Sequence, residues 1–444
     1  MQELRVSRRK WTGFGRAFFG GASGGVFRGM ATLALGSGIG RVIGIVAIPV
    51  LTRIYTPEDF GVLAVFTALV AILAPLVTLR YVLALPLPRQ DGVAMNLLAL
   101  STGLMLGLSA LIALSLWMGG ETLLGLVSMQ VLAPWWWLIA LGVLGTATYE
   151  MLTLWATRRR AYKVIAQTNV TQSLAGTVVK IGLGVLSVQP LGLLLGQVVA
   201  QAGGVGRLLR GFLGEFRANW HHISPARLRK VAWKHRGFAI WRVPSQFLMV
   251  FSMQAPMFFM AALYDAQTTG QFGLAMMALS MPVAILGQSA GKALYGEASQ
   301  IFKEEPARVV KMAGEVQVRL LAVALVPAAL LFFFGSDLFY FAFGPEWRLA
   351  GQFTSLISFA IVFQFSSAPL IQLMNLLKNQ SVFLLINILR SAGLAIVFMA
   401  GAWLELDAMT VVAWYSAFTT IFYLGISAFI MYEFYRLKAR RMAI

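Results

Sequence analysis

Basic side chains stand inside stretches of this sequence that are otherwise long and apolar. An ionised side chain at the centre of a bilayer costs roughly 2.5 to 3.5 kcal/mol, so it normally faces water or a partner of opposite charge. Cations that face water inside a membrane can attract an anionic group. The candidate anion-binding residues are Arg41, Lys180, Arg390, Lys292 and Arg319.

Three of these residues, Arg41, Lys180 and Arg390, lie deepest in their apolar stretches. Small and polar neighbours on the same helical face mark a face that is turned toward protein or water. Such neighbours are Ser37 and Gly44 for Arg41, Asn169, Gln172, Gly176 and Gly184 for Lys180, and Asn387 and Gly393 for Arg390. We therefore expect the three cations to line one central cavity between the two halves of the chain.

The other two cations have simpler alternatives. Arg319 follows Glu315 by four residues on one helical face, so a local ion pair is the alternative for it. Lys292 is close enough to a predicted helix end to extend toward the headgroups.

Glu150 is the one acidic residue that is clearly embedded, and it shares a face with Thr146 and Thr153. It is the candidate for coupling to a proton or sodium gradient, with a structural ion pair as the alternative. The chain has no cysteine, no Gly-rich phosphate loop with its lysine and no HExxH motif. We expect no catalytic residues, no cofactor and no metal site, and a protein that is not an enzyme.

The elements that position these residues are predicted membrane-spanning helices. Of 444 residues, 59% are hydrophobic and 12% charged, against roughly 25% charged in a soluble domain. Stretches of about 20 apolar residues suffice to cross the hydrocarbon layer. They occur near 30–51, 60–79, 96–117, 131–155, 165–187 and 190–206, and again near 238–263, 271–294, 313–334, 352–374, 382–403 and 409–432. The fold class is therefore all-α, a polytopic membrane protein of about twelve transmembrane helices.

The distribution of Lys and Arg predicts the orientation of these helices. With the N-terminus in the cytoplasm, nearly all basic residues of the connections fall inside, and Arg53 and Arg348 are the two outside. Both termini are then cytoplasmic, and anionic headgroups rather than nucleic acid explain the net charge of +19. A basic connector, 207–237, separates a first lobe, 30–206, from a second, 238–432, with cytoplasmic tails at 1–29 and 433–444.

A short repeat supports the division into two lobes of six helices. Tyr55 and Gly61 stand six apart in the first outer connection, and Tyr264 and Gly270 stand six apart in the equivalent connection of the second half. Parallel repeats related by an axis along the membrane normal place a substrate site between two lobes.

Several motifs carry a resemblance to a known family. Residues 51–61 (LTRIYTPEDFG), Leu79-Arg80-Tyr81 with Ala84, and Thr157-Arg158-Arg159 resemble the polysaccharide flippases. These are the O-antigen and exopolysaccharide exporters of the multidrug, oligosaccharidyl-lipid and polysaccharide exporter superfamily. Pro256, Gly270 and the Pro282 region resemble them more weakly. Val82 departs from the pattern, because family members often carry an acid after the Arg-Tyr pair.

The resemblance implies a two-lobed helical transporter of the bacterial inner membrane. Its substrate would be an undecaprenyl-diphosphate-linked oligosaccharide, moved from the cytoplasmic to the periplasmic leaflet by alternating access for lipopolysaccharide or exopolysaccharide biosynthesis. A proton or sodium ion could drive the movement.

Two other function classes remain as alternatives. A drug or cation antiporter of the same superfamily would favour embedded acids, of which only Glu150 is clearly available. A membrane polysaccharide polymerase or ligase would need a larger outer loop with paired carboxylates, whereas the predicted outer connections are short and their acids scattered.

Overall fold

In a computed structural model of the chain, residues 24–126, 130–283, 287–301, 305–374 and 380–442 are described. They form helices joined by short connections and contain no strand. Nine helical segments of this described part are long and apolar enough to cross a membrane. The all-α, polytopic prediction is confirmed, whereas the count of twelve and the cytoplasmic position of both termini stay predictions. Most of the predicted tail, 1–29, lies outside the described residues.

The helices follow the order of the predicted spans. The first half contains α1 (Gly24–Ile54), α2 (Pro57–Leu73), α3 (Asp91–Gly125), α4 (Trp136–Arg158), α5 (Tyr162–Val185) and α6 (Leu191–Ala202). The connector contains α7 (Val205–Asn219) and α8 (Pro225–Lys234). The second half contains α9 (Val243–Leu263), α10 (Ala266–Pro282), α11 (Gln288–Ile301), α12 (Pro306–Phe343), α13 (Arg348–Leu373), α14 (Gln380–Trp403) and α15 (Ala408–Met442).

Several helices differ from their predicted bounds, and three differences bear on the architecture. Helix α2 ends at Leu73, two residues before Pro75, whose nitrogen has no hydrogen to donate to the helix. The stretch predicted as one span, 271–294, is divided between α10 and α11. Helix α12 has 38 residues, about 57 Å at 1.5 Å per residue, and so extends beyond a hydrocarbon layer of roughly 30 Å.

Small residues set the close packing within the first half. A Cβ atom on Gly36 would overlap Ala166, and one on Gly176 would overlap Ala200 and the carbonyl oxygen of Gly196. Helix α5 therefore packs closely against both α1 and α6, as small residues permit between membrane helices. This packing holds the polar face of α5, which includes Lys180, against its neighbours.

Contacts between the two halves centre on α2. This helix packs mainly against α10 and also against α9, whereas α12 packs along α13, and α13 along α15. The tight turn after α1 and the tight turn after α9 lie at one end of the bundle, here named the Tyr55 end. The connection between α2 and α3 lies at the opposite end, here named the Arg80 end. The predicted domain boundaries stay predictions.

The orientation can be tested with reporter fusions. A reporter that is active only in the periplasm should be active when fused after Gln189 and silent after His222, because the sorting of Lys and Arg places these two connections on opposite sides. If both fusions behave alike, one crossing must be removed from the topology, and the sidedness of every later connection is inverted.

Candidate transport pathway

Helices α2 and α10 cross backbone to backbone at the Tyr55 end. A Cβ atom on Gly270 would overlap the carbonyl oxygen of Pro57, and one on Gly61 would overlap that of Ala266. One turn further along α10, Gly273 faces Ala64 of α2. The two glycines of the Tyr–Gly repeat therefore form a backbone contact between the halves, since only a residue without a Cβ permits this approach.

The two tyrosines of the repeat make equivalent hydrogen bonds. Tyr55 donates from its hydroxyl to the carbonyl oxygen of Lys180 at 2.7 Å, and Tyr264 donates to that of Leu406 at 2.9 Å. Lys180 lies near the end of α5, and Leu406 is the third residue after the end of α14, the penultimate helix of the second half. Burial, with the negative charge of Asp59, raises the pKa of Tyr55 to about 12. Its hydroxyl therefore stays protonated and able to donate.

Trp347 completes the closure of this end. It is fully buried, its indole N–H donates to the carbonyl oxygen of Thr52 at 3.1 Å, and its ring meets Phe60 edge to face at 4.9 Å. In the second half, Gln271 accepts a hydrogen bond from the backbone N–H of Ala350 at 2.9 Å. Sequence reasoning missed Trp347, because an isolated tryptophan after a helix end carries no periodic signal.

Arg41 lies on α1, farther from the Tyr55 end than Thr52 and Trp347. Thr52 contacts Trp347, and Arg41 precedes Thr52 by about three turns of α1, which places both on one helix face. Thr52 is buried and Arg41 is exposed. This face of α1 is therefore buried at the Tyr55 end and exposed at the position of Arg41.

Lys180 lies in a polar interior of the first half. Its side chain is half-buried against Gly196, and its Nζ donates to Oε1 of Gln197 at 2.7 Å. None of the ion pairs among the described residues includes Lys180. The structure thus gives this cation a neutral amide as its partner.

The predicted polar stripe on α5 forms hydrogen bonds across three helices. Asn169 accepts from the hydroxyl of Tyr149 at 2.8 Å and donates to Oγ of Ser37 at 3.1 Å. The side-chain oxygen of Gln172 accepts from the backbone N–H of Gly204 at 3.3 Å. Polar groups that satisfy one another in this way fix the arrangement of α1, α4 and α5 around Lys180.

Arg390 lies on α14 in the second half. Its guanidinium stands over the ring of Tyr423 on α15, 5.8 Å from the ring centre, and its side chain is half-buried. The structure therefore gives Lys180 and Arg390 partners in their own halves. Their convergence with Arg41 on one cavity stays a prediction.

Of the two remaining candidate anion-binding residues, the structure describes the side chain of Arg319 but not that of Lys292. Arg319 is exposed and lies 3.8 Å from Glu315, the local pair that the spacing had offered as the alternative. It lines an open groove between α12 and α15 together with Lys311 and Gly314. Lys292 belongs to α11, and its side chain lies outside the described part of the chain.

Glu150 is paired with Arg80 of the Leu79-Arg80-Tyr81 motif. Nη1 of Arg80 donates to both carboxylate oxygens, at 2.9 and 3.2 Å. Arg80 is held in the left-handed backbone region at φ 58°, and its side chain is 9% exposed against 32% for Glu150. Val82, where the family often has an acid, is fully buried in the apolar core of the first half.

A second ionic cluster joins three helices near the Arg80 end. Arg158 donates to Asp91 at 2.6 Å, and Arg159 donates to Asp91 at 3.0 Å and to Glu215 at 2.8 Å. Asp91 is the first residue of α3, Arg158 is the last residue of α4 and Arg159 follows it, and Glu215 lies on α7. The Thr157-Arg158-Arg159 motif thus ties the connector to the first half.

A family model described as polysaccharide biosynthesis protein matches residues 50–352. The chain belongs to this polysaccharide biosynthesis family. The matched region includes the α2–α10 crossing, the Arg80–Glu150 pair, the Arg158–Arg159 cluster and Lys180, whereas Arg41 and Arg390 lie outside it. No curated protein matches the chain.

Solved structures show the fold of this family member. The lipid II flippase MurJ in an inward closed conformation is 12% identical over 89% of this chain and 86% of that chain, with a TM-score of 0.68. A MATE transporter in complex with MaL6 is 12% identical over 96% of this chain and 99% of that chain, with a TM-score of 0.52. The family match confirms the polysaccharide family that the sequence resemblance indicated, and the solved structures show the fold alone.

Proposed function

We propose that the protein is a flippase that moves an undecaprenyl-diphosphate-linked oligosaccharide from the cytoplasmic to the periplasmic leaflet of the bacterial inner membrane by alternating access. The observation that carries the proposal is Lys180, a cation inside the first half whose partner is the neutral amide of Gln197. Membership of the polysaccharide biosynthesis family supports a sugar-bearing substrate.

The negative charge of the substrate is the physical reason why cations are needed inside the membrane. A diphosphate carries about two negative charges, and a charge that enters hydrocarbon unassisted costs several kcal/mol or more. Arg41, exposed on the face of α1 that is buried at the Tyr55 end, and Lys180 can offset this cost within the first half. Arg390 would do so from the second half, and Lys292 is proposed to contribute from α11.

The closed Tyr55 end supports alternating access. The glycine crossing and Trp347 seal that end, whereas Arg41 is exposed. A substrate would therefore enter from the Arg80 end, which is cytoplasmic in the predicted orientation. Opening of the α2–α10 crossing would then release it on the other side.

The antiporter alternative receives less support from the charges. Its cationic substrate would need a free embedded carboxylate, and the carboxylate of Glu150 is already bound by Arg80. We retain Glu150 as the proposed site of coupling to a proton or sodium ion, since about a third of its side chain is exposed.

Transfer of a fluorescent lipid-linked oligosaccharide between leaflets of proteoliposomes tests the function. Arg41→Gln and Lys180→Gln should insert normally and slow transfer about tenfold or more, because a hydrogen bond to a charged group contributes about 1.5 to 3 kcal/mol. Arg319→Gln is the matched control and should transfer nearly as fast as the unmodified chain, because its charge is exposed and locally paired.

The outcomes separate the proposals. Normal transfer by the Arg41 and Lys180 variants would eliminate the cationic cavity while leaving the flippase function intact. If the unmodified chain moves organic cations and no lipid-linked sugar, the flippase function itself is wrong.

A further inference from the structure

Helix α8 of the connector has one face against the protein and one face free. Val231 is buried, Tyr81 donates from its hydroxyl to the carbonyl oxygen of Ala232 at 3.1 Å, and the backbone N–H of Ser224 donates to Asn96 at 3.3 Å. These contacts fix the rotation of the helix. At 3.6 residues per turn, Trp233 stands about 200° from Val231, with Arg229 and Lys230 to either side of it. Arg236 follows the end of α8 by two residues, and its guanidinium lies on the Trp233 ring. These four residues are here named the free face of α8.

The free face exposes an unusually large apolar ring. Trp233 is 70% exposed, and Trp220 and Trp241, which flank α8 in the chain, are 70% and 77% exposed. The guanidinium of Arg236 lies 3.8 Å from the centre of the Trp233 ring. An indole with a cation on its face matches the boundary between headgroups and hydrocarbon, where tryptophan is enriched.

The ionisable side chains next to α8 in the sequence are basic, with no acidic residue among them. No Asp or Glu occurs between Glu215 and Asp265, and Glu215 is already bound by Arg159. The basic residues of this interval are Arg217, Arg227, Arg229, Lys230, Lys234, Arg236 and Arg242. Such a surface is complementary to anionic groups, and its attraction falls as the salt concentration rises.

We propose that the free face of α8 binds the headgroups of anionic phospholipids, with the Trp233 ring inserted at their level. The position of α8 in the sequence supports this choice of partner. It follows α6 and α7 and precedes α9, and these helices belong to segments long and apolar enough to cross a membrane. The surface therefore lies beside headgroups of the leaflet at the Arg80 end. Bound lipid would hold the connector at the membrane surface while the two halves move.

Two double variants give a matched test of this surface. R229Q/K230Q removes two charges from the free face. R227Q/K234Q removes two charges from exposed positions of the same helix that stand within about 60° of Val231, away from Trp233. The net charge of the two variants is equal, so a difference between them reports position rather than total charge.

The native chain has no cysteine, so a single label can be placed at Ala226→Cys, an exposed position that also points away from Val231. In nanodiscs of phosphatidylcholine with or without phosphatidylglycerol, quenching of this label by a lipid with a spin-labelled headgroup measures its depth. We expect phosphatidylglycerol to increase quenching, added salt to reverse the increase, and both R229Q/K230Q and Trp233→Ala to lose most of it. R227Q/K234Q should retain most of it.

Three results would overturn the proposal. The first is quenching that does not depend on phosphatidylglycerol. The second is an equal loss of quenching in the two double variants. The third is binding of a soluble acidic protein or nucleic acid through Arg229 and Lys230 while phosphatidylglycerol leaves the quenching unchanged. Because quenching is measured without transport, the result is independent of the proposed flippase function.

Discussion

Replacing Gly270 with Ala should open the Tyr55 end of the protein and strongly reduce transport. The added Cβ would overlap the carbonyl oxygen of Pro57. That oxygen belongs to the backbone of α2 and cannot rotate away as a side chain does, so α2 and α10 must separate. Overpacking of this kind costs about 1 to 3 kcal/mol. Since about 1.4 kcal/mol changes an equilibrium tenfold, the closed state should lose a factor of about ten or more in population.

The opening can be measured at Thr52, which is buried behind Trp347. A Thr52→Cys substitution in the cysteine-free chain should react slowly with a membrane-impermeant maleimide and much faster when Gly270→Ala is added. Gly107→Ala on α3 is the control, because a Cβ atom at Gly107 would meet nothing within 4 Å. Unchanged labelling in the Gly270 variant would mean that the crossing is not the barrier at this end.

The repeat indicated two related halves, but the contact made by its glycines was beyond what the sequence could predict. The spacing of Tyr55 and Gly61 is local and recurs at Tyr264 and Gly270. The close approach of Gly270 to Pro57 depends on the crossing of two helices more than 200 positions apart in the sequence, which no helical period encodes. Trp347 shows the same limit, since its hydrogen bond to Thr52 joins residues 295 positions apart.

In the candidate site, too, contacts within one helix were predictable and contacts between distant residues were not. The Glu315–Arg319 pair followed from spacing on one helix, and the polar stripe on α5 followed from its periodicity. Helix type and the polytopic class were predictable because apolar length decides them. The pairing of Glu150 with Arg80, 70 positions away, was not predictable, because Arg80 lies on a loop in the left-handed backbone conformation.

Glu150→Gln should destabilise the protein by about 2 to 3 kcal/mol. The substitution removes the negative charge that neutralises Arg80, whose side chain is only 9% exposed. Removing one partner of a buried ion pair leaves an uncompensated charge, and the cost is larger than the net stabilisation by the pair. Arg80→Gln should cost less, because Glu150 is 32% exposed and can be hydrated.

A double-mutant cycle measures this asymmetry through unfolding followed by tryptophan fluorescence. The double variant R80Q/E150Q should be more stable than the sum of the two single effects predicts, because neither side chain is left with an unpaired charge. Additive effects would show that the pair is not coupled energetically. The same Glu150→Gln protein, reconstituted and energised with a proton or sodium gradient, also tests coupling. If transfer keeps its full dependence on the gradient, Glu150 serves to hold Arg80 and the coupling site lies elsewhere.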